Sequence, residues 1–472
     1  MNDTSDIWQL VDDRQQAFIA LSDRIWAMPE ICYTETRSAA EHAAELERHG
    51  FKVTQGIAGI PTALIGEAGE GGPVIAILGE YDALPGLSQQ AGIAEPRPIE
   101  IGGNGHGCGH NLLGAGAMLA AVAVKDWLAR QGLSGRVRYY GCPAEEGGAA
   151  KTFMVRDGAF NDVDVAISWH PSSFCEVMPA ATLANTRIDF TFTGRAAHAA
   201  VAPHLGRSAL DAVELMNVGV NYMREHMPSD ARIHYAMLDS GGIAPNVVQA
   251  TAKVRYAVRA RDLDGMRELL ERVRKIAQGA ALMTETSVAV QVISAVSNLL
   301  GNDPLERAMA DVFQQLGPPP FDDADRSFAR QIQATLSEQD FDFAYRAVGQ
   351  PRGDAALCQQ VVPLDAPREP LMGSTDVGDV SWAVPTVQAS GATVAIGTPF
   401  HSWQLVAQGK MPAAHKGMVH VAKVMAATAC KVLADPALLD AARADHAART
   451  SRHPYLCPIP PEIVPPLDMA RA

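Results

Sequence analysis

Apolar positions recur along this chain in several distinct rhythms. Between Ile7 and Ala27 they return every three to four residues, at Trp8, Leu10, Val11, Phe18, Ile19, Leu21 and Ile25, which predicts an amphipathic helix. Met28–Ala39 ends that helix at Pro29 and opens another. Short unbroken apolar runs at Val74–Leu78, Val137–Tyr140 and Val163–Trp169 predict buried strands. Longer runs at Leu112–Leu128 and Ala413–Leu433 predict buried helices, and His415 and His420 on the latter read as structural. From about Ala184 the rhythm changes. Arg187–Thr193 alternates, with Ile188, Phe190 and Phe192 on one face. A helix over Ser208–Met223, strands over Arg232–Leu238 and Ala252–Ala260, a helix over Leu263–Gln278 and a strand over Thr286–Ile293 follow. That order, β-α-β-β-α-β, predicts a ferredoxin-like α+β unit. Ligand-type residues resume beyond it, so 184–295 reads as an insertion that splits an α/β domain with a mixed sheet into 1–183 and 296–472. The rest predicts helices over Pro304–Gln315 and Ser327–Leu336, the latter within a weakly patterned stretch, 318–368. A strand is expected over Thr393–Ile396, and a proline-rich tail, Pro454–Pro466, laid on the surface.

The polar residues that interrupt this pattern sit where strands end. Val74–Leu78 runs into GEYDALPG, where Asp82 could orient a metal-bound imidazole from behind. Val137–Tyr140 runs into GCPAEEGG, where one glutamate could bind metal while its neighbour serves as general base. Val163–Trp169 ends at His170, and Thr393–Ile396 leads into GTPFHSW with His401. Between them lies GGNGHGCGHNLLGAG, with Cys108 and His110 at i and i+2, projecting to one side of an extended backbone as ligands for a borderline-soft divalent ion. No register of its glycines satisfies G-x-G-x-x-G, and the H-x-E…P-C-x-x-C pattern of base deaminases is missing. A cysteine hydrolase with Cys108 as nucleophile and His110 or His106 as base would leave Glu145, Glu146, His170 and His401 unexplained.

Charge and composition narrow the partners. The 472 residues carry a formal net charge of −14, which argues against nucleic acid and anionic membranes. The stretch MNDTSDIWQLVDD has neither a basic nor an apolar signal-peptide region, and Gly114–Val124 is too short to span a bilayer. Seven scattered cysteines suit a reducing compartment, so a cytoplasmic location is expected.

Eight ordered motifs resemble a known family: GEYDALPG, GHGCGHNLLGAG, PAEEGG, SWHP, TGRAAHAA, GGIAPNVV, GSTDVGDVSW and TPFHSW. The chain is similar to the co-catalytic metallopeptidases that include aminoacylase, glutamate carboxypeptidase and the auxin–amino acid amidohydrolases. The resemblance implies a zinc-peptidase-like catalytic domain with a ferredoxin-like dimerisation domain. It implies two divalent ions, Zn or Mn, on Cys108, His110, Glu146, His170 and His401, with Glu145 as general base and Asp82 behind the first metal. His198 would reach the partner subunit's active site to stabilise an oxyanion, and Asn246 and Arg259 would bind the substrate carboxylate. Two departures stand out. Glu80 occupies the position of a histidine in classical members, for which Cys108 compensates, and Gln249 stands where relatives often have proline. The expected activity is hydrolysis of the amide bond of an N-acyl or N-aroyl amino acid, such as aminobenzoyl-glutamate, or of a small dipeptide, by a homodimer or higher homo-oligomer. Alternatives are a non-catalytic or partner-dependent subunit of a hydrolase and an aromatic amine C–N aminohydrolase on the same site.

Overall fold

A computed structural model describes residues 5–368 and 373–471; the first four residues of the acidic N-terminal stretch lie outside the described residues. The chain opens on α1 (Ser5–Trp26), α2 (Thr36–Arg48), β1 (Lys52–Gln55), β2 (Leu64–Glu70) and β3 (Val74–Glu80). It continues through α3 (His110–Gln131), β4 (Gly135–Cys142), α4 (Ala150–Arg156), β5 (Val165–Ser172) and a short β6 (Glu176–Val177). β7 (Ala184–Thr193), α5 (Ala209–Met223), β8 (Arg232–Asp239), β9 (Thr251–Ala260), α6 (Leu263–Thr284) and β10 (Ser287–Val296) form the next unit. Then come α7 (Asp303–Leu316), α8 (Asp323–Gln333), α9 (Glu338–Ala347), α10 (Val377–Ala383), β11 (Thr386–Ala392), α11 (Trp403–Gln408), α12 (Pro412–Ala434) and α13 (Pro436–Thr450).

One sheet runs in the order β1-β2-β4-β3-β5-β11-β6. Its central strands β4, β3, β5 and β11 are parallel, so their carboxyl ends, with the polar residues that follow, share one edge. β3 is buried throughout, as a continuous apolar run at the centre of a covered parallel sheet should be. α3 packs between α1 and α12 on one face of the sheet. α3 and α12 are long and apolar enough to cross a membrane by composition, yet 83% of each apolar window is buried inside the fold. The second sheet is antiparallel, in the order β10-β7-β9-β8, with α5 and α6 packed against the face that carries Ile188, Phe190, Phe192, Val254, Tyr256 and Val258. This is the expected mixed α/β fold with a ferredoxin-like layer between its halves.

Several elements differ from expectation. The strand expected over Thr393–Ile396 lies one segment earlier, at β11. Gly391 shows why small residues hold the sheet position: a β-carbon there would meet the Trp169 ring at 2.8 Å. Residues 393–396 are buried but leave the ladder; Ala395 N–H donates to the Gln408 side chain and Ile396 N–H to the Ala356 carbonyl. The helix expected over Ser327–Leu336 is α8, which starts earlier because Asp322 and Asp325 form a reciprocal capping box. α9 follows in the same stretch behind its own Ser337–Asp340 box. The proline-rich tail does lie along the surface, where Arg156 donates to the Pro460 and Ile463 carbonyls and Tyr455 to Asp379.

Candidate metal centre

The carboxyl edge of the parallel strands gathers the candidate ligands. His110 is the first residue of α3 rather than part of an extended loop, because Gly109 (φ +78°) turns the chain in the left-handed region. A β-carbon at Gly109 would also meet Pro171 at 2.9 Å. Asp82, just past β3, accepts from His110 Nδ1 at 2.9 Å and from the Glu146 backbone N–H at 2.9 Å. One carboxylate therefore fixes the His110 ring, with Nε2 turned to the centre, and the β4 loop. His170, on β5, bonds the Pro171 carbonyl through Nδ1 and places Nε2 3.4 Å from Cys108 Sγ. His401 sits in the left-handed region (φ +57°), a conformation that costs about 1–3 kcal/mol outside glycine, with Nε2 3.3 Å from Glu146 Oε2.

Metal-type atoms converge in overlapping groups, each within 4.8 Å: Cys108, His110 and His170; Cys108, Glu146 and His401; Glu80, His110 and Glu145. Cys108 is common to the first two and His110 to the first and third. Glu146 Oε1 is buried without a hydrogen-bond partner, and Glu80 Oε2 and His110 Nε2, neither in a hydrogen bond, face each other at 3.3 Å. Orphaned polar atoms of this kind are costly unless a cation satisfies them, and thiolate, imidazole and carboxylate together suit a borderline-soft divalent ion; the residues fit a metal.

The surroundings set the charge. Lys151 is wholly buried, with Nζ 2.6 Å from both Glu80 and Asp376. Burial works against its proton, but the two carboxylates hold it protonated well beyond its ordinary range. Glu145 is pushed far up by burial and by the negative Glu80, Asp376 and Glu146. Its neighbour Glu146, despite burial, is held at about 2 by the His401 hydrogen bond and by His110. Adjacent carboxylates driven in opposite directions are the usual mark of an acid–base site. Glu35, buried and pushed up to about 8, accepts from the Tyr33 and Ala144 N–H groups and so pins the strained Ala144 (φ +56°) just before Glu145.

A cleft of about 390 Å³ opens from Cys108, Glu145, Glu146, His170 and His401 toward the second sheet, where Asn185, Arg187 and Arg259 line it. Of the residues expected from the sequence, Asp82, Cys108, His110, Glu145, Glu146, His170, His401 and Arg259 are brought together. His198 and Asn246 are not: they lie exposed on two facing loops of the second layer, between β7 and α5 and between β8 and β9, where Ala199 N–H donates to the Asn246 carbonyl. His106 bonds the Ile25 carbonyl instead of joining the cluster. His415 and His420 are structural, bonded to Asp23 and to the Gly317 carbonyl. Sequence reasoning missed Lys151, Asp376 and Arg187, and passed over Glu80 as a ligand-type group. Asp376 did lie inside a quoted motif, and Lys151 stands at the buried start of the mostly apolar α4, which keeps its other cation, Arg156, at its far end.

The sequence profile of peptidase family M20/M25/M40 matches residues 76–402. One of the p-aminobenzoyl-glutamate hydrolase subunits of Escherichia coli is 47% identical over 98% of this chain and 99% of its own. A mouse Xaa-Arg dipeptidase is 27% identical over 92% of this chain and 89% of its own. Among solved structures, a dinuclear metal-binding peptidase of Bacillus subtilis superposes with a TM-score of 0.55 at 16% identity, over 88% of this chain and 98% of that one. With a ligand cluster at the carboxyl edge of a parallel sheet and this full-length similarity, the chain belongs to peptidase family M20/M25/M40, as a metal-dependent hydrolase of amide or peptide bonds.

Proposed function

We propose that this hydrolase cleaves the amide of an N-acyl or N-aroyl amino acid of the aminobenzoyl-glutamate type, and that Cys108, His110, Glu146, His170 and His401 hold two divalent ions, Zn²⁺ or Mn²⁺. The observation that carries the reading is the overlap of two ligand groups at Cys108, with Glu145 beside them and outside both. Bound ions supply Lewis-acid polarisation of the scissile carbonyl and acidify the attacking water. Glu145 takes the proton from that water and delivers it to the leaving nitrogen. Asp82 holds the His110 proton on Nδ1, which keeps Nε2 available as a ligand. His198, exposed on its own chain, donates to the developing oxyanion in a second copy; one such donor is worth about 3–4 kcal/mol. Asn246, on the same lip, accompanies it, and Arg259 receives the substrate carboxylate. The assembly is a homodimer in the cytoplasm. The name of the Escherichia coli relative, a hydrolase subunit, also supports a reading in which a paired chain is needed for full activity.

The test is metal analysis of the purified chain together with hydrolysis of an N-acyl amino acid panel. Close to two ions per chain is expected, with activity lost on chelation and restored by Zn²⁺ or Mn²⁺. Glu145→Gln should retain the metal while turnover falls at least about 10²-fold. Activity that survives chelation would overturn the metal scheme.

A further inference from the structure

Among the described residues, six that are not glycine stand in the left-handed region of the backbone, and three of them, Tyr33, Ala144 and Ala149, meet at one place. Such residues stay there only where the surrounding structure holds them, and they gather at functional sites. The place is the loop that follows β4 and bears Glu145. The Ala144 carbonyl accepts from the Gly148 and Ala149 N–H groups, both at 2.9 Å, which closes Glu145, Glu146 and Gly147 into a tight turn. Among the described residues the Glu145 carboxylate has no hydrogen-bond partner, so the backbone that carries it sets its aim.

That backbone is held from the connection between α1 and α2. One oxygen of the wholly buried Glu35 accepts from the N–H groups of two of the strained residues, Tyr33 and Ala144, at 2.9 Å each. Its other oxygen accepts from the Thr62 hydroxyl at 3.1 Å, and the Thr62 carbonyl accepts from the Tyr81 hydroxyl, which fixes the carboxyl from behind. Tyr33 donates its hydroxyl to the Gly148 carbonyl at 2.7 Å, next to the third strained residue. Its ring lies so close that a β-carbon at Gly148 would meet Cε2 at 2.4 Å. Glu146, by contrast, is held by other partners, with its N–H on Asp82 and its carbonyl on Arg187. The two ends of the turn, on either side of Glu145 and Glu146, therefore depend on Glu35 and Tyr33.

We propose that Glu35 and Tyr33 are positioning residues for the general base: they hold Ala144 and Gly148, the two ends of the turn, so that Glu145 keeps the direction its proton transfer needs. Neither belongs to a ligand group. Their loss therefore leaves metal and substrate bound and lowers turnover alone, and a base displaced by about 1 Å is enough to cost about 10²-fold. The proposal rests on the reading of Glu145 as general base given above.

The metal-loaded full-length protein is compared with Glu35→Leu, Glu35→Gln and Tyr33→Phe in two measurements. Hydrogen exchange of the loop peptide 141–150 reads the clamp independently of the reaction. It should be slow in wild type and in Glu35→Gln, whose amide oxygen still accepts from both N–H groups, and at least about tenfold faster in Glu35→Leu. Unchanged exchange in Glu35→Leu would overturn the clamp. Kinetics with p-aminobenzoyl-glutamate read its use. Glu35→Leu should keep its metal and a KM within about twofold of wild type while kcat falls about 10²-fold, and Glu35→Gln should recover most of that loss. Tyr33→Phe removes a single hydroxyl, carries the same test if Glu35→Leu does not fold, and should lower kcat alone, about 3–10-fold. The deciding variant combines Glu35→Leu, or Tyr33→Phe, with Glu145→Gln. Residues that act as a unit are not additive, so the double variant should turn over no more slowly than Glu145→Gln by itself. Losses that multiply, or that fall on KM and metal content, would overturn the proposal. If Glu145→Gln is as fast as wild type, the general-base reading fails, while loop exchange that still depends on Glu35 keeps the clamp.

Discussion

His42 and His420 are held neutral by their surroundings. His42 is walled in by Tyr81 and Tyr139, and a β-carbon at Gly114 would meet its ring nitrogen at 2.7 Å. His420 is buried against Phe313, bonded to the Gly317 carbonyl, with Lys423 the neighbouring charge. Burial pulls both from the ordinary 6.5 to about 4. Above pH 6.5 each is neutral folded and unfolded, so neither costs stability. Below it, the unfolded chain takes a proton that the fold refuses. Stability therefore falls between pH 6.5 and about 4, by at most about 1.4 kcal/mol per pH unit for each ring. Urea melts in chelator at pH 7 and pH 5 should show this slope, and His42→Asn combined with His420→Gln should flatten it. Parallel slopes would show that other groups carry the acid sensitivity. At this scale the sequence was informative about residue type. Cys108, His110, Glu145, Glu146, His170 and His401 were legible because ligand chemistry interrupts apolar runs. Lys151 and Arg187 were not, because their meaning lies in partners that only folding brings near: Asp376 is 225 residues from Lys151, and Glu146 is 41 from Arg187.

The elements supply the edges on which those residues sit. β3, β4 and β5 were legible because strands buried on both faces must be continuously apolar. β11 was misplaced because Ala-Ser-Gly-Ala looks like a poor strand until Trp169 of the neighbouring β5 is seen to fill the space. Gly391→Val should accordingly overpack this position and cost about 1–3 kcal/mol in a denaturant melt. A wild-type midpoint would mean that the ring moves aside freely. The β4 loop and the start of α4 depend on the Glu80–Lys151–Asp376 cluster, in which the Lys151 backbone N–H also donates to Asp376 at 2.9 Å. Lys151→Met strands two buried carboxylates and should cost about 3–5 kcal/mol, with partial recovery when Glu80→Gln and Asp376→Asn are added. A neutral Lys151→Met would show that water reaches the cluster.

For the whole molecule, the change of rhythm near Ala184 falls where β7 begins, because alternation signals a sheet covered on one face and continuous apolarity one covered on both. What the pattern could not show is that the loops bearing His198 and Asn246 stand exposed, away from the ligand cluster of their own chain. His198 and Asn246 lie exposed on the lip of that layer, and on the proposed mechanism they act only in the site of a second copy. Mixing His198→Ala with Glu145→Gln, each inactive alone, should restore about a quarter of wild-type activity, since half the dimers are mixed and each holds one complete site. No recovery, with mixed dimers demonstrated, would place His198 outside the reaction.

β7 and β10 lead into and out of the second layer as neighbouring strands, with Asn185 beside Val296. The two ends of the layer are separated by one strand spacing, about 4.8 Å, so a short turn could close the gap at small entropic cost. In evolutionary terms the layer is a cassette. It carries Arg187, Arg259, His198 and Asn246, while Cys108, His110, His170, His401 and the glutamates sit at the carboxyl edge of the parallel sheet. On the proposed roles, change within the layer would alter what the enzyme selects and how it meets the oxyanion, while the metal ligands and Glu145 keep their places on the other side of the cleft.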